Sequence, residues 1–94
     1  MTSYVIVESN VLDSEKLMQY SKRAAPTVKQ FGGKFIAKGA KHALHGESRF
    51  ANQSVIQFPS EEDAKAWYAS DDYQALAGLR DQAMESHFQL VAGL

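Results

Sequence analysis

Residues 4–7 read Tyr-Val-Ile-Val, with no polar residue between them. Successive side chains of a β-strand point to opposite faces, so a sheet with one wetted face alternates apolar and polar residues. This strand does not alternate, and both its faces are expected to be buried. The chain is short: 94 residues predict one domain, 1–94, and a domain of that size buries a limited share of its surface. If two helices cover one face of the sheet, little chain is left for the other. A second copy packing sheet against sheet is the simplest cover.

The remaining elements follow from periodicity and punctuation. "SYVIVESNV", residues 3–11, is β-branched and aromatic and reads as a strand. Asp13 or Ser14 caps a helix whose apolar stripe is Leu17, Tyr20, Ala24, Val28 and Phe31. Pro26 falls inside that stripe and is expected to kink or interrupt the helix, and "FGG" ends it. "KFIAKGAKHAL" is the second strand, with Gly39 as the expected bulge or bend and "HGES" as a turn. The third strand is clearest over 54–58. "PSEED" stops it and opens a helix, with Ser60 and Asp63 as a weak capping box. "HFQLVAGL" is the fourth strand.

Strand, helix, strand, strand, helix, strand is the ferredoxin-like order. The expected fold is α+β: a four-stranded antiparallel sheet, both helices on one face, closing into a dimeric α/β barrel. Ile56 with Phe58, and Phe88 with Leu90, are the sets expected to face the helices. The sets containing Gln57 and Gln89 are expected to face the partner.

Composition narrows the function classes. There are no cysteines, which excludes disulfides and thiolate metal sites. No apolar run approaches the ~20 residues of a membrane span, and "MTSYVIVESN" has no signal-peptide character, so a cytoplasmic protein without membrane contact is expected. A net charge of -1 gives no reason to expect nucleic acid. Seven cations lie between Lys16 and Lys41, and seven acids between Glu61 and Glu85. Two solvated helix faces of opposite sign explain that division more simply than an anion-attracting surface.

"SEEDAKAWYASDDYQALAGLR", residues 60–80, holds most of the aromatic candidates. As one straight helix it would set Asp71 and Asp72 on the face of Trp67 and Tyr68, at a high cost. A break near Ser70 is therefore expected, with Ser70 as a second N-cap and both aspartates in the first turn. Tyr73, Leu76, Ala77 and Arg80 then share a stripe, with Arg80 at the core border. Two readings stand: aromatic packing, or a pocket wall in which Arg80 meets a carboxylate ligand.

Tyr20 lies on the first helix's apolar stripe; its hydroxyl could reach such a pocket, but core packing is the simpler reading. His42 and His45, three apart, fall on opposite faces of a regular strand, which is poor for a shared metal. Candidate ligand-binding residues are thus Tyr20, His42, Trp67, Tyr68, Tyr73 and Arg80. Glu8 and Asp13 could form an acid–base pair if buried, but a strand-end residue and a helix cap are the simpler reading. No phosphate loop, dinucleotide glycine pattern or nucleophile elbow is present. Neither a metal nor a cofactor is implied, and no catalytic residue is assigned.

"YVIVESNV", "YSKRAAPTVKQFGGKFIAKGA" and "VIQFPSEEDAKAWYASDDYQALAGLR", in this order and spacing, resemble the domain of unknown function 1330 family over nearly the whole chain. The resemblance implies a ferredoxin-like protomer of the dimeric α/β-barrel superfamily. It supplies no reaction, since related barrels include cofactor-independent monooxygenases, muconolactone-isomerase-like enzymes and haem proteins. "KHALHGESRF" departs from the pattern, with His42 and His45 where acidic residues are common, although Glu47 remains. Three functions are carried forward: a dimeric binder of a small metabolite, a cofactor-independent enzyme on a small hydrophobic substrate, and a structural or interaction dimer.

Overall fold

Ser3–Val11 forms β1, an interior strand, as the unbroken Tyr-Val-Ile-Val run requires. The computed structural model describes residues 1–94. After β1 come α1 (Ser14–Gln30), β2 (Lys34–Ala40), β3 (Asn52–Phe58), α2 (Glu61–Ala69), α3 (Asp71–Gln74), α4 (Ala77–Ala83) and β4 (Met84–Ala92). The sheet order is β2-β3-β1-β4 and every pairing is antiparallel, which is the ferredoxin-like arrangement. The molecule measures 32 × 31 × 16 Å, the thickness of one sheet and one helical layer.

Capping chemistry sets the ends of α1. The Asp13 carboxylate accepts the Lys16 N–H at 3.0 Å. At the other end Gly32 takes a φ of 78°. It donates to the Lys29 carbonyl at 3.0 Å while Gly33 donates to Val28 at 3.0 Å, the paired bonds of a Schellman motif. The helix runs through Pro26 without the interruption that was one of the two expected outcomes. Proline removes only its own donor, and the buried stripe of Tyr20, Ala24, Thr27 and Val28 holds the turns on either side to the core.

Register assigns the faces. Val5, Val7, Ile56 and Phe58 are buried beneath the helices with Val28, Ala64, Trp67, Tyr73 and Leu76. Phe88 and Leu90 pair with Val7 and Val5 and share that side. Tyr4, Ile6, Val55, Gln57, Gln89 and Val91 share the opposite face, as the alternation predicts.

The hairpin departs from expectation. β2 stops at Ala40 rather than Leu44, and its bulge lies between Phe35 and Ala37 rather than at Gly39. Lys41 donates to the Ala51 carbonyl at 2.9 Å, and the segment between them folds over the face opposite the helices. Asn10 grips it from both sides, donating to the Arg49 carbonyl at 2.9 Å and accepting the Ala51 N–H at 2.8 Å. Phe50 is buried edge-on against the His87 ring, centroids 4.7 Å apart. Lys41 donates to Glu8 at 2.7 Å, and Arg49 pairs with Glu85. One end of the second face is thus covered by the chain itself, whereas the sequence led us to expect no intramolecular cover.

Candidate functional site

Ser60 opens α2 by accepting the Asp63 N–H at 3.1 Å. The expected break falls at Ser70, whose hydroxyl accepts the Tyr73 N–H at 3.2 Å and donates to the Trp67 carbonyl at 2.7 Å. Asp71 and Asp72 stay exposed in the first turn of α3. The re-aimed chain brings the Tyr73 ring under Trp67, centroids 4.4 Å apart. Trp67 and Tyr73 are almost wholly buried, whereas Tyr68 is 39% exposed. A second break before α4 and an early start of β4 at Met84 were not apparent from periodicity.

The polar tips of these rings find one another. Trp67 Nε1 donates to Thr27 Oγ1 at 3.0 Å. The Tyr20 and Tyr73 hydroxyls are 2.7 Å apart. Arg80 Nη1 donates to the Tyr68 hydroxyl at 3.1 Å and, more weakly, to the Tyr73 hydroxyl at 3.4 Å, while Nε donates to Asp81 at 3.0 Å. The guanidinium lies 5.3 Å from the Phe88 ring centroid.

Burial pushes the Tyr20 phenol far above its ordinary pKa, with neighbouring Tyr73 adding to the effect. Burial also raises Tyr73, against the opposing pull of its bonds to Tyr20 and Arg80. Desolvation works against the Arg80 charge, but its bonds to Tyr73, Asp81 and Tyr68 outweigh that and raise its pKa. At neutral pH the cluster is therefore two protonated buried phenols beside a fixed cation.

Two spaces flank it. A cleft of about 460 Å³ lies between α1 and the sheet. Its apolar lining includes Val7, Leu17, Val28 and Ile56, and Ser9, Lys38 and Ser54 add polar groups. A groove of about 600 Å³ follows the β4 edge beside α2. Tyr20 borders the cleft, Tyr68 and Arg80 border the groove, and Trp67 and Phe88 border both. Tyr73 bridges the two sides through its bonds.

Five of the six candidates, Tyr20, Trp67, Tyr68, Tyr73 and Arg80, are thus brought together. His42 is not: it is exposed in the segment after β2 and borders neither space. Glu8 and Asp13 serve separate partners, Lys41 and the Lys16 N–H, and do not form a pair. No group of three or more His, Cys, Asp or Glu side chains converges as a metal site. Sequence reasoning missed Ser9, Lys38 and Ser54 on the cleft. Small and polar residues at helix-facing strand positions were the available signal.

The family model described as Domain of unknown function (DUF1330) matches residues 2–94. No curated protein matches the chain. Among solved structures, a protein of unknown function from Rhodopseudomonas palustris superposes with a TM-score of 0.78 at 16% identity, covering 99% of this chain and 82% of that one. A dimeric ferredoxin-like protein of unknown function from Jannaschia sp. CCS1 gives 0.73 at 10% identity, covering 99% and 100%. SnoaB, a cofactor-independent oxygenase from Streptomyces nogalater, gives 0.72 at 10% identity, covering 99% and 93%. At these identities the likeness is one of fold.

Proposed function

The chain belongs to the domain of unknown function 1330 family, and on that premise we propose that it binds a small, largely apolar organic molecule in the cleft between α1 and the sheet. The observation that carries this reading is the cleft itself: about 460 Å³, lined by 19 residues of which 12 are hydrophobic. That size and mixture suit a small metabolite. Lys38, 5.6 Å from the Phe35 ring centroid on the lining, offers a cation to an acidic group on the ligand.

The test is titration with anilinonaphthalene sulfonate, an aromatic anion that fluoresces on leaving water. Saturable binding at one dye per chain is expected. Ser54→Phe, which projects a ring from the cleft floor, should abolish it while leaving the circular dichroism unchanged. Dye binding that ignores Ser54→Phe would place the ligand elsewhere and sink the reading.

In the same reading two copies pair through the sheet face bearing Tyr4, Ile6, Val55 and Val91. Support comes from the apolar side chains on that face and from the dimeric neighbour of the same fold. A second reading, a cofactor-independent enzyme on a hydrophobic substrate, is favoured by the buried tyrosine pair beside the cleft and by the fold shared with SnoaB. It requires turnover: native mass spectrometry would identify the co-purified molecule, and its conversion by apoprotein would separate enzyme from carrier.

A further inference from the structure

Counting hydrogens in the phenol cluster gives an imbalance. Each phenol brings one hydrogen and can accept others. The 2.7 Å contact between Tyr20 and Tyr73 uses one of their two hydroxyl hydrogens, whichever residue donates. Arg80 brings only donors, and it fills acceptor positions on Tyr73 and Tyr68. Neither Tyr20 nor Tyr73 has another hydroxyl contact. Both oxygens are therefore bonded, yet one O–H hydrogen of this pair has no protein acceptor. The two residues are 7% and 0% exposed, and a buried hydroxyl hydrogen left without an acceptor is costly.

Electrostatics decides which hydrogen is spare. Arg80 donates to the Tyr73 oxygen and not to that of Tyr20, so its charge polarises Tyr73 and favours Tyr73 as the donor of the 2.7 Å contact. The free hydrogen is then that of Tyr20, the member of the pair that borders the cleft. The chain Arg80 to Tyr73 to Tyr20 is aligned, and each bond polarises the next, making the final O–H a stronger donor. An acceptor oxygen held there also gains from the partly buried Arg80 charge at the start of the chain.

We propose that the cleft selects ligands carrying an acceptor oxygen, a ketone carbonyl or an enolate or phenolate oxygen, and that the Tyr20 hydroxyl, aligned through Tyr73 by Arg80, is the group that recognises it. Tyr20 is then a binding residue, and Tyr73 and Arg80 are positioning residues. This rests on the cleft reading above and names the ligand's chemistry within it.

The experiment compares 1-tetralone with tetralin, two bicyclic probes of nearly one shape, only the first bearing a carbonyl. Calorimetric titration of the wild-type protein should show the ketone bound about tenfold more tightly than the hydrocarbon, the worth of one good hydrogen bond. Tyr20→Phe, which keeps the ring, should reverse the preference, because the carbonyl would then be desolvated without a donor. Tyr73→Phe should leave a reduced preference for the ketone, since Tyr20 keeps its hydrogen but loses its alignment.

The infrared carbonyl band of bound 1-tetralone gives a readout independent of any variant. It should lie below its frequency in cyclohexane. A wild-type protein that binds both probes equally, with the carbonyl band at its cyclohexane position, overturns the inference and leaves the cleft reading intact. A protein that binds neither probe, nor the naphthalene dye, overturns both.

Discussion

Trp67 and Thr27, forty positions apart, are joined by an indole N–H donated to the threonine hydroxyl at 3.0 Å. The same hydroxyl donates to the Ala24 carbonyl at 2.7 Å, so α1 and α2 are tied through one oxygen. Thr27→Val keeps the shape and leaves the buried indole N–H unpaired. Destabilisation by about 1–3 kcal/mol is expected in urea unfolding. Thr27→Ser should recover most of it. A loss from Thr27→Ser with none from Thr27→Val would mean that the methyl group, not the hydroxyl, holds the contact.

Gly33 lies where α1 turns into β2. A Cβ there would fall 2.6 Å from Phe58 Cε1 and 2.7 Å from Val28 Cγ1, both in fully packed side chains. Gly33→Ala should cost about 1–3 kcal/mol through overpacking. Gly39→Ala meets nothing within 4 Å, and should be neutral or stabilising by up to about 1 kcal/mol, since alanine restricts the unfolded chain more. The two melting temperatures, measured side by side, check the contrast.

The segment between β2 and β3 is fastened by Glu8 and Glu85. The bond from Lys41 holds the Glu8 carboxyl below its usual range, and the bond from Arg49 does the same for Glu85. A folded pKa below the unfolded value, about 4.3 for glutamate, adds stability above that value and loses it as pH falls through the folded pKa. Melting temperature should therefore fall as pH drops below about 4–5. The Glu8→Gln, Glu85→Gln double variant should start lower at pH 7 and lose less on acidification. A parallel fall in both proteins would assign the acid sensitivity to other groups.

Ile6 sits at the centre of the sheet face opposite the helices, flanked by Val55 and Gln89. Light scattering at micromolar concentration should give twice the chain mass for the wild-type protein. Ile6→Lys should give the single mass with an unchanged far-ultraviolet spectrum, because a charge at that position is tolerated in water and not in a sheet-to-sheet contact. A doubled mass for Ile6→Lys would move the interface elsewhere.

Much of the fold is legible in the sequence because its signals are local. Asp13, Ser60 and Ser70 each cap the helix they precede, and a cap depends on residues only three positions apart. The break at Ser70 follows from the cost of burying Asp71 and Asp72, and that cost does not depend on the rest of the chain. The hairpin is not legible in this way, because its strand end is set at long range. Asn10 holds Arg49 and Ala51, and Phe50 lies on His87. Without knowing where β1 and β4 meet, "KHALHG" reads as more strand.

The candidate site divides in the same way. Periodicity by itself placed Tyr20 on one apolar stripe and Tyr73 with Arg80 on another, and it set Gln57 and Gln89 away from the helices, because side-chain spacing follows directly from backbone geometry. It could not bring the two tyrosine hydroxyls to 2.7 Å, nor leave one of their hydrogens spare. Those depend on how α1 and α3 lie over the sheet, a matter of packing between segments fifty residues apart that no local pattern encodes. The tertiary structure also separated His42 from the aromatic cluster and opened the cleft beside Ser9 and Ser54, since a space between elements exists only once both elements have been placed.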